Sequence, residues 1–328
     1  MKRIAFMLAL VFAAISAVGS ESAVTWAQAQ REYQRIVIAS DLHYPSKIMG
    51  QQKAELRQEK MDNKLQAAAD ISSWPDVDLV AFLGDMVPKT GSVQECKEAK
   101  LLTDKIKKPQ TFVAGNHEFY YQDDLGSKHK LYKGTPESRQ AKLEYFKQAF
   151  ATPDLYYSKK MNGYRLIFLS ANDIYGKYAV TLNRQELRWL KGTLQLHKQE
   201  PTIIFCHAPL ENTMQVKKSK RNSAGRFVQP AAELKNILMA NPQIMLWVSG
   251  HTHTAPTNEN FAAPWNCYEN KIWNIYNPTW DGKQVWTNSL YLYPDKIMVK
   301  TYDHKQKKFL EQFTRSYAAP HYTAKLAA

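Results

Sequence analysis

The chain has 328 residues, 44% hydrophobic and 12% aromatic, enough to bury a sizeable core in one large or two small domains. Its formal net charge of +14 suits anionic partners, but the lysines are spread along the chain, so solubility explains the charge equally well. Three cysteines, Cys96, Cys206 and Cys267, match no zinc module and allow at most one disulfide, for which only Cys96 with Cys267 is considered.

Residues 1–20 open with Lys2 and Arg3, run apolar from Ile4 to Val18 and end among the small residues Ala17, Gly19 and Ser20. This is the pattern of a secretory signal peptide, and the apolar run is shorter than the ~20 residues of a spanning helix. The expectation is a cleaved leader over about 1–24, with small residues from Ala17 to Ala29 offering several cleavage sites. The remainder of the chain, 30–328, reads as one globular domain of an exported protein, periplasmic or extracellular, with no membrane contact after cleavage.

Ile36 to Ala39 reads as a strand ending at Asp41 and His43, and a helix is expected over Lys53 to Ile71, closed by Pro75. Asp78 to Leu83 is a second strand, ending at Gly84-Asp85; a helix from Val93 to Ile106 comes next. Thr111 to Ala114 is a third strand, ending at Gly115-Asn116-His117-Glu118. Strands alternating with helices predict a largely parallel α/β arrangement here, in which sites gather at the carboxyl ends of strands. After a polar, aromatic loop and a helix from Glu137 to Phe150, Tyr156–Lys160 and Tyr164–Ser170 form a hairpin about Asn162-Gly163. Leu182 to His197 is a helix with Asn183 as cap and Glu186 placed as in a capping box. Thr202 to Cys206 is a buried strand ending at His207, with Cys206 a small buried hydrophobe. The basic cluster Lys217 to Arg221 is a solvated loop or a phosphate-steering one, and a short helix spans Ala231 to Met239. Ile244 to Val248 is a last buried strand, ending at Gly250-His251-Thr252-His253. An aromatic stretch from Trp265 to Trp286, punctuated by Gly and Asn, precedes two antiparallel strands, Ser289–Tyr293 and Ile297–Tyr302.

Five strand ends therefore carry metal-type ligands, and five of the nine histidines in the chain fall there. Any one of these is most simply a loop histidine; chance does not place so many after apolar β runs. The set exceeds what one tetrahedral zinc requires and lacks the thiolates of a structural site. A two-metal centre uses the excess, although the i, i+2 spacing of His251 and His253 also permits chelation of one ion.

The order Asp41-x-His43, Gly84-Asp85, Gly115-Asn116-His117-Glu118, His207 and Gly250-His251-Thr252-His253 resembles the calcineurin-like metallophosphoesterase superfamily over about residues 35–302. The resemblance implies an α/β (α+β) fold, a two-sheet β-sandwich flanked by helices in four layers. It implies a hydrolase of phosphomono- or diesters that uses two divalent metal ions, Mn, Fe, Zn or Co, and a metal-bridging hydroxide. By the same resemblance one metal takes Asp41, His43 and His253, the other Asn116, His207 and His251, and Asp85 bridges them. His117 stays unligated and assists departure of the leaving oxygen. The purple acid phosphatase branch carries a tyrosine shortly after its Gly-Asp, whereas Met86, Val87 and Pro88 stand here, so its ferric chromophore is not expected. The competing expectation is a catalytically weak binding protein on the same scaffold. Specific nucleic-acid binding is not expected, since it rests on charge and on aromatic residues that pack a core as readily as they stack on bases.

Overall fold

The first parallel strands are almost wholly apolar because they are covered on both faces. In this computed structural model, which describes residues 31–48, 53–125, 130–216 and 224–320, β1 (Gln34–Ala39) sends Ile36 and Ile38 to one side and Val37 and Ala39 to the other, all buried. The expected leader, the cluster Lys217 to Arg221, His129 and His321 lie outside the described residues.

β1 pairs in parallel with β2 (Val77–Phe82), which pairs in parallel with β3 (Gln110–Phe112). On its other edge β1 runs antiparallel to β10 (Trp286–Leu292), with Ile36 opposite Leu290, and β10 runs antiparallel to β11 (Lys296–Asp303). Two short strands, β12 (Lys308–Phe309) and β13 (Arg315–Ala318), both pair with β11 and complete this sheet. The second sheet has the order β4-β5-β6-β7-β9-β8, built from β4 (Tyr156–Met161), β5 (Tyr164–Leu169), β6 (Thr202–Cys206), β7 (Ile244–Ser249), β8 (Cys267–Tyr268) and β9 (Ile272–Tyr276). β5, β6, β7 and β9 are mutually parallel; the outer pairs are antiparallel.

One apolar cluster joins the facing sides of the sheets: Ile36, Ile38, Leu79 and Leu290 from the first meet Leu166, Phe168, Phe205 and Val248 from the second. The opposite faces pack on helices, α1 (Ala54–Ser73) and α2 (Val93–Thr103) between strands of the first sheet, α4 (Arg184–Leu196) and α5 (Ala231–Met239) between strands of the second. With α3 (Pro136–Phe150), this is a two-sheet sandwich flanked by helices, the expected fold class.

The helix starts follow local chemistry. Ser92 and Glu95 form a reciprocal capping box on α2, Thr135 caps α3 with Pro136 in its first turn, and the Asn183 side chain accepts from the Glu186 amide. The expected capping box on α4 is only half formed. The Asn183 amide donates instead to Asn172 Oδ1 at 2.9 Å, and the Glu186 carboxyl turns into the core beside Asn172 and Ser170. The aromatic stretch from Trp265 to Trp286, to which the sequence assigns no strand, contains β9. Asn274, which reads as a loop residue, is buried in that strand; its Oδ1 accepts from Leu210 N and its Nδ2 donates to Ser249 Oγ. All three cysteines are unbridged, so the pair Cys96–Cys267 does not form, and buried Cys206 packs in β6 as expected. Among the described residues no helix is long and apolar enough to cross a membrane.

Candidate metal centre

β1, β2, β6 and β7 end on the same side of the molecule, and the residues just beyond them converge with the loop after β3. Five of the seven expected ligands, Asp41, His43, Asp85, His251 and His253, hold left-handed backbone angles, with φ between 42° and 63°. Asp and His tolerate that region better than bulkier residues, and its concentration at one place marks a backbone constrained by what it presents. Glycines let the loops close in. A Cβ on Gly115 would collide with the Asp85 carboxylate, and one on Gly250 with Ser40 Oγ and the Asp41 carboxylate.

Around Asp41, the His253 Nε2 atom lies 3.1 Å from Oδ1 and 3.2 Å from His43 Nε2. Asp85 Oδ2 lies 3.2 Å from His207 Nε2 and 3.9 Å from both His43 Nε2 and His117 Nε2. His207 Nε2 in turn faces His251 Nδ1 at 3.2 Å. Three compact groups result: Asp41, His43 and His253; Asp85, His207 and His251; and His43, Asp85 and His117, in each of which the donor atoms lie within 4.8 Å of one another. His43 and Asp85 each belong to two of them. Asn116 sits beside them in chain order with its Oδ1 buried and unpartnered, while its Nδ2 approaches Tyr121 Oη at 3.4 Å.

The outer nitrogens are fixed by carbonyls, which only accept. His43 Nδ1 donates to Val87 O, His207 Nδ1 to Leu83 O, His117 Nδ1 to Lys89 O and His251 Nε2 to Gly225 O, at 2.6 to 3.0 Å. Each neutral ring is then left with a lone pair on its inner nitrogen. The inner nitrogens of His207 and His251 face each other, Asp41 Oδ1 faces His253 Nε2, and Asn116 Oδ1 is a buried acceptor without a hydrogen-bond partner. Inward lone pairs, carboxylates and an orphaned amide oxygen form a donor set that fits divalent cations.

Electrostatics point the same way without any ion. Burial works to raise the Asp85 carboxyl, but His207 and His117 outweigh it and hold it well below the usual range. Burial likewise lowers His207, yet the Asp85 and Asp41 charges push it up to about 9, while burial depresses His117 and His251 to about 4. The carboxylates recruit positive charge to the middle of the cluster.

Several supporting residues carry no signal as ligands. Glu118 accepts four backbone N–H groups, from Asp85, Met86, Val87 and Gly115, at 2.7 to 3.2 Å, and so ties the Gly84-Asp85 turn to the Gly115-Asn116-His117 loop. Its place in the Gly-Asn-His-Glu motif was visible; its role was not. Lys64 of α1, fully buried, donates to His43 O, Pro45 O and Asp281 Oδ1, while Trp280 N and Thr279 Oγ1 bond the carbonyl of Asp41. Nothing in a linear reading links residues so far apart. His197 and His304 stand outside the cluster, bonded to Glu200 and Asp70.

The model of the calcineurin-like phosphoesterase family matches residues 34–255, which span all five ligand-bearing strand ends. The chain belongs to that family. It is therefore a hydrolase of phosphate esters, of a family that uses divalent metals. Among solved structures, a dimetal phosphatase from Danio rerio is similar over 87% of this chain and 99% of that one, at 15% identity and a TM-score of 0.57. A purple acid phosphatase from yellow lupin, Lupinus luteus, is similar over 88% of this chain and 54% of that one, at 13% identity and a TM-score of 0.57. At such identities these phosphoesterase structures share the fold with this chain. No curated protein matches the sequence.

Proposed function

We propose that this phosphoesterase works with two divalent ions, one held by Asp41, His43 and His253, the other by Asn116, His207 and His251, with Asp85 shared between them. The observation that carries this reading is the approach of His207 Nε2 and His251 Nδ1 to 3.2 Å with both outer nitrogens committed to carbonyls. Two ring nitrogens that close need a shared cation, a proton on His207 in the metal-free chain and a divalent ion in its place in the loaded one. Bound there, divalent ions neutralise phosphoryl charge and lower the pKa of water, and mixed N/O ligation suits Mn, Fe, Zn or Co.

The chain's own residues orient and protonate. Asp85 is fixed by the His117 amide on Oδ1 at 2.8 Å, which leaves Oδ2 turned to the cluster. His117 Nδ1 is held by Lys89 O, so Nε2 is the atom turned to the substrate; it must first take up a proton, which the negative charge of a bound phosphate ester favours, and then passes it to the leaving oxygen. The substrate is a small phosphate ester, monoester or diester. Export rests on the residue pattern from Lys2 to Ser20.

The test is a panel of phosphomonoesters and diesters run with metal analysis on the same preparation. Two equivalents of metal and metal-dependent turnover are expected, and Asp85→Asn should lose both together. An Asp85→Asn enzyme with two bound metals and full activity would sink the shared-ligand assignment.

A further inference from the structure

A cavity of about 390 Å³ opens beside the cluster, lined by Gly225, Arg226, His251, Thr252 and His253. It is of the size that holds a small ligand. Arg226 is half-buried in its wall; its Nε is fully buried without a hydrogen-bond partner, and among the described residues no carboxylate pairs with its guanidinium. Among the described residues, buried Lys64, Lys142 and Arg35 pair with Asp281, Asp123 and Asp76, while buried Arg139, which has no carboxylate, lies over the Tyr120 ring, bonds the carbonyls of Ile174 and Gly176 and opens on no such cavity beside the cluster. An arginine left without an anion beside a phosphoesterase centre is a receptor for one, because its planar fork matches carboxylate and phosphate oxygens.

The orientation of His251 shows which anion. Its Nδ1 faces His207 inside the cluster, while its Nε2 turns outward to Gly225 O at 3.0 Å. Gly225 and Arg226 therefore lie on the far side of the imidazole from Asp85 and His117. A phosphoryl group engaged by Asp85's ions and His117 occupies the inner side, so Arg226 meets a different part of the substrate.

We infer that Arg226 binds a second anionic group, a phosphate or a carboxylate, of a substrate whose scissile phosphate sits at the metal cluster. The inference rests on the dinuclear reading for the position of the scissile group. It makes the preferred substrate a phosphate ester with a further acidic group on the alcohol side, rather than an ester of a neutral alcohol.

Phosphonates test this without turnover, since their P–C bond is not an ester. Binding of propylphosphonate, phosphonopropionate and propylene diphosphonate to the metal-loaded protein would be measured by calorimetry, with metal content checked before and after. At least one two-anion ligand should bind about 10- to 100-fold tighter than propylphosphonate. Which one does so tells carboxylate from phosphate. Arg226→Ala should bring that ratio to within about threefold of unity. Lys271→Ala, which removes an equal charge from an exposed site, should keep it. Equal affinities in the wild type, or an unchanged ratio in Arg226→Ala, would overturn the inference. So would an equal loss for all three ligands, which would place Arg226 on the scissile phosphate. Absence of ester hydrolysis with an intact ratio would instead count against the proposed reaction and leave the Arg226 site standing.

Discussion

His117 sits within reach of two roles. Its Nε2 is 3.9 Å from Asp85 Oδ2, close enough to join His43 and Asp85 around an ion, yet its amide already serves Asp85 Oδ1 and its Nδ1 is taken by Lys89 O. As a proton donor, His117→Ala should lower kcat by about 10²- to 10⁴-fold with metal content unchanged. Loss of metal in step with activity, at constant rate per occupied site, would make it a ligand. Glu186 offers a residue-scale prediction about stability. Burial pushes its carboxyl well above the usual range, and the neighbouring Asn172 side chain and Ser170 backbone offset this only in part. The folded chain thus holds a proton that the unfolded chain releases near pH 4.5. This contribution to stability is complete below that pH and declines as pH rises toward the folded value, by at most about 1.4 kcal/mol per unit. Glu186→Gln should therefore raise Tm at pH 8 more than at pH 4; an equal effect at both would show that the carboxyl is not protonated in the fold.

At the scale of elements, ligand loops are held by neighbours rather than by their own strands. The turn after β1 is bonded to Thr279 and Trp280 on one side and to Lys64 of α1 on the other, with Asp281 closing the ion pair. Lys64→Met keeps the bulk but leaves His43 O, Pro45 O and Asp281 short of a donor. Loss of such a buried pair costs about 3–5 kcal/mol, so Tm should fall and metal affinity with it. Retention of wild-type Tm and metal affinity would show that α1 does not position this turn. The cap on α2 is a local matter. Ser92→Ala should cost about 1 kcal/mol of stability in denaturant unfolding, leaving metal content alone.

For the whole molecule, the centre joins both sheets: Asp41 and Asp85 come after strands of the first, His207 and His251 after strands of the second. Ions bound there tie the two sheets together, and removing them should destabilise the entire fold rather than one loop. At a free-metal concentration 100 times Kd, ligation adds about 2.7 kcal/mol. Chelation should lower Tm accordingly and reversibly. A Tm indifferent to chelator, in protein shown to lose its metal, would mean that the sheets are held without it.

Much of this was legible along the chain because the chemistry repeats in one-dimensional form. An apolar run followed by Asp, His or Asn at five places marks strand ends facing one site, and Asn162-Gly163 or Asn183 declare a turn and a cap by their own backbone preferences. β9 escaped because a buried Asn looks like a loop residue until Leu210 and Ser249 supply its partners. Glu186 looked like half of a capping box until Asn172 took the amide it would have bonded. The division of His251 from His253 was open at i, i+2 spacing, and the fold turns one toward His207 and the other toward His43 and Asp41. Residue types and their periodicity set which groups could bind metal and where strands would end. Which ring nitrogens meet, and what surrounds Arg226, depends on contacts between segments remote in sequence, and only the packed sheets decide those.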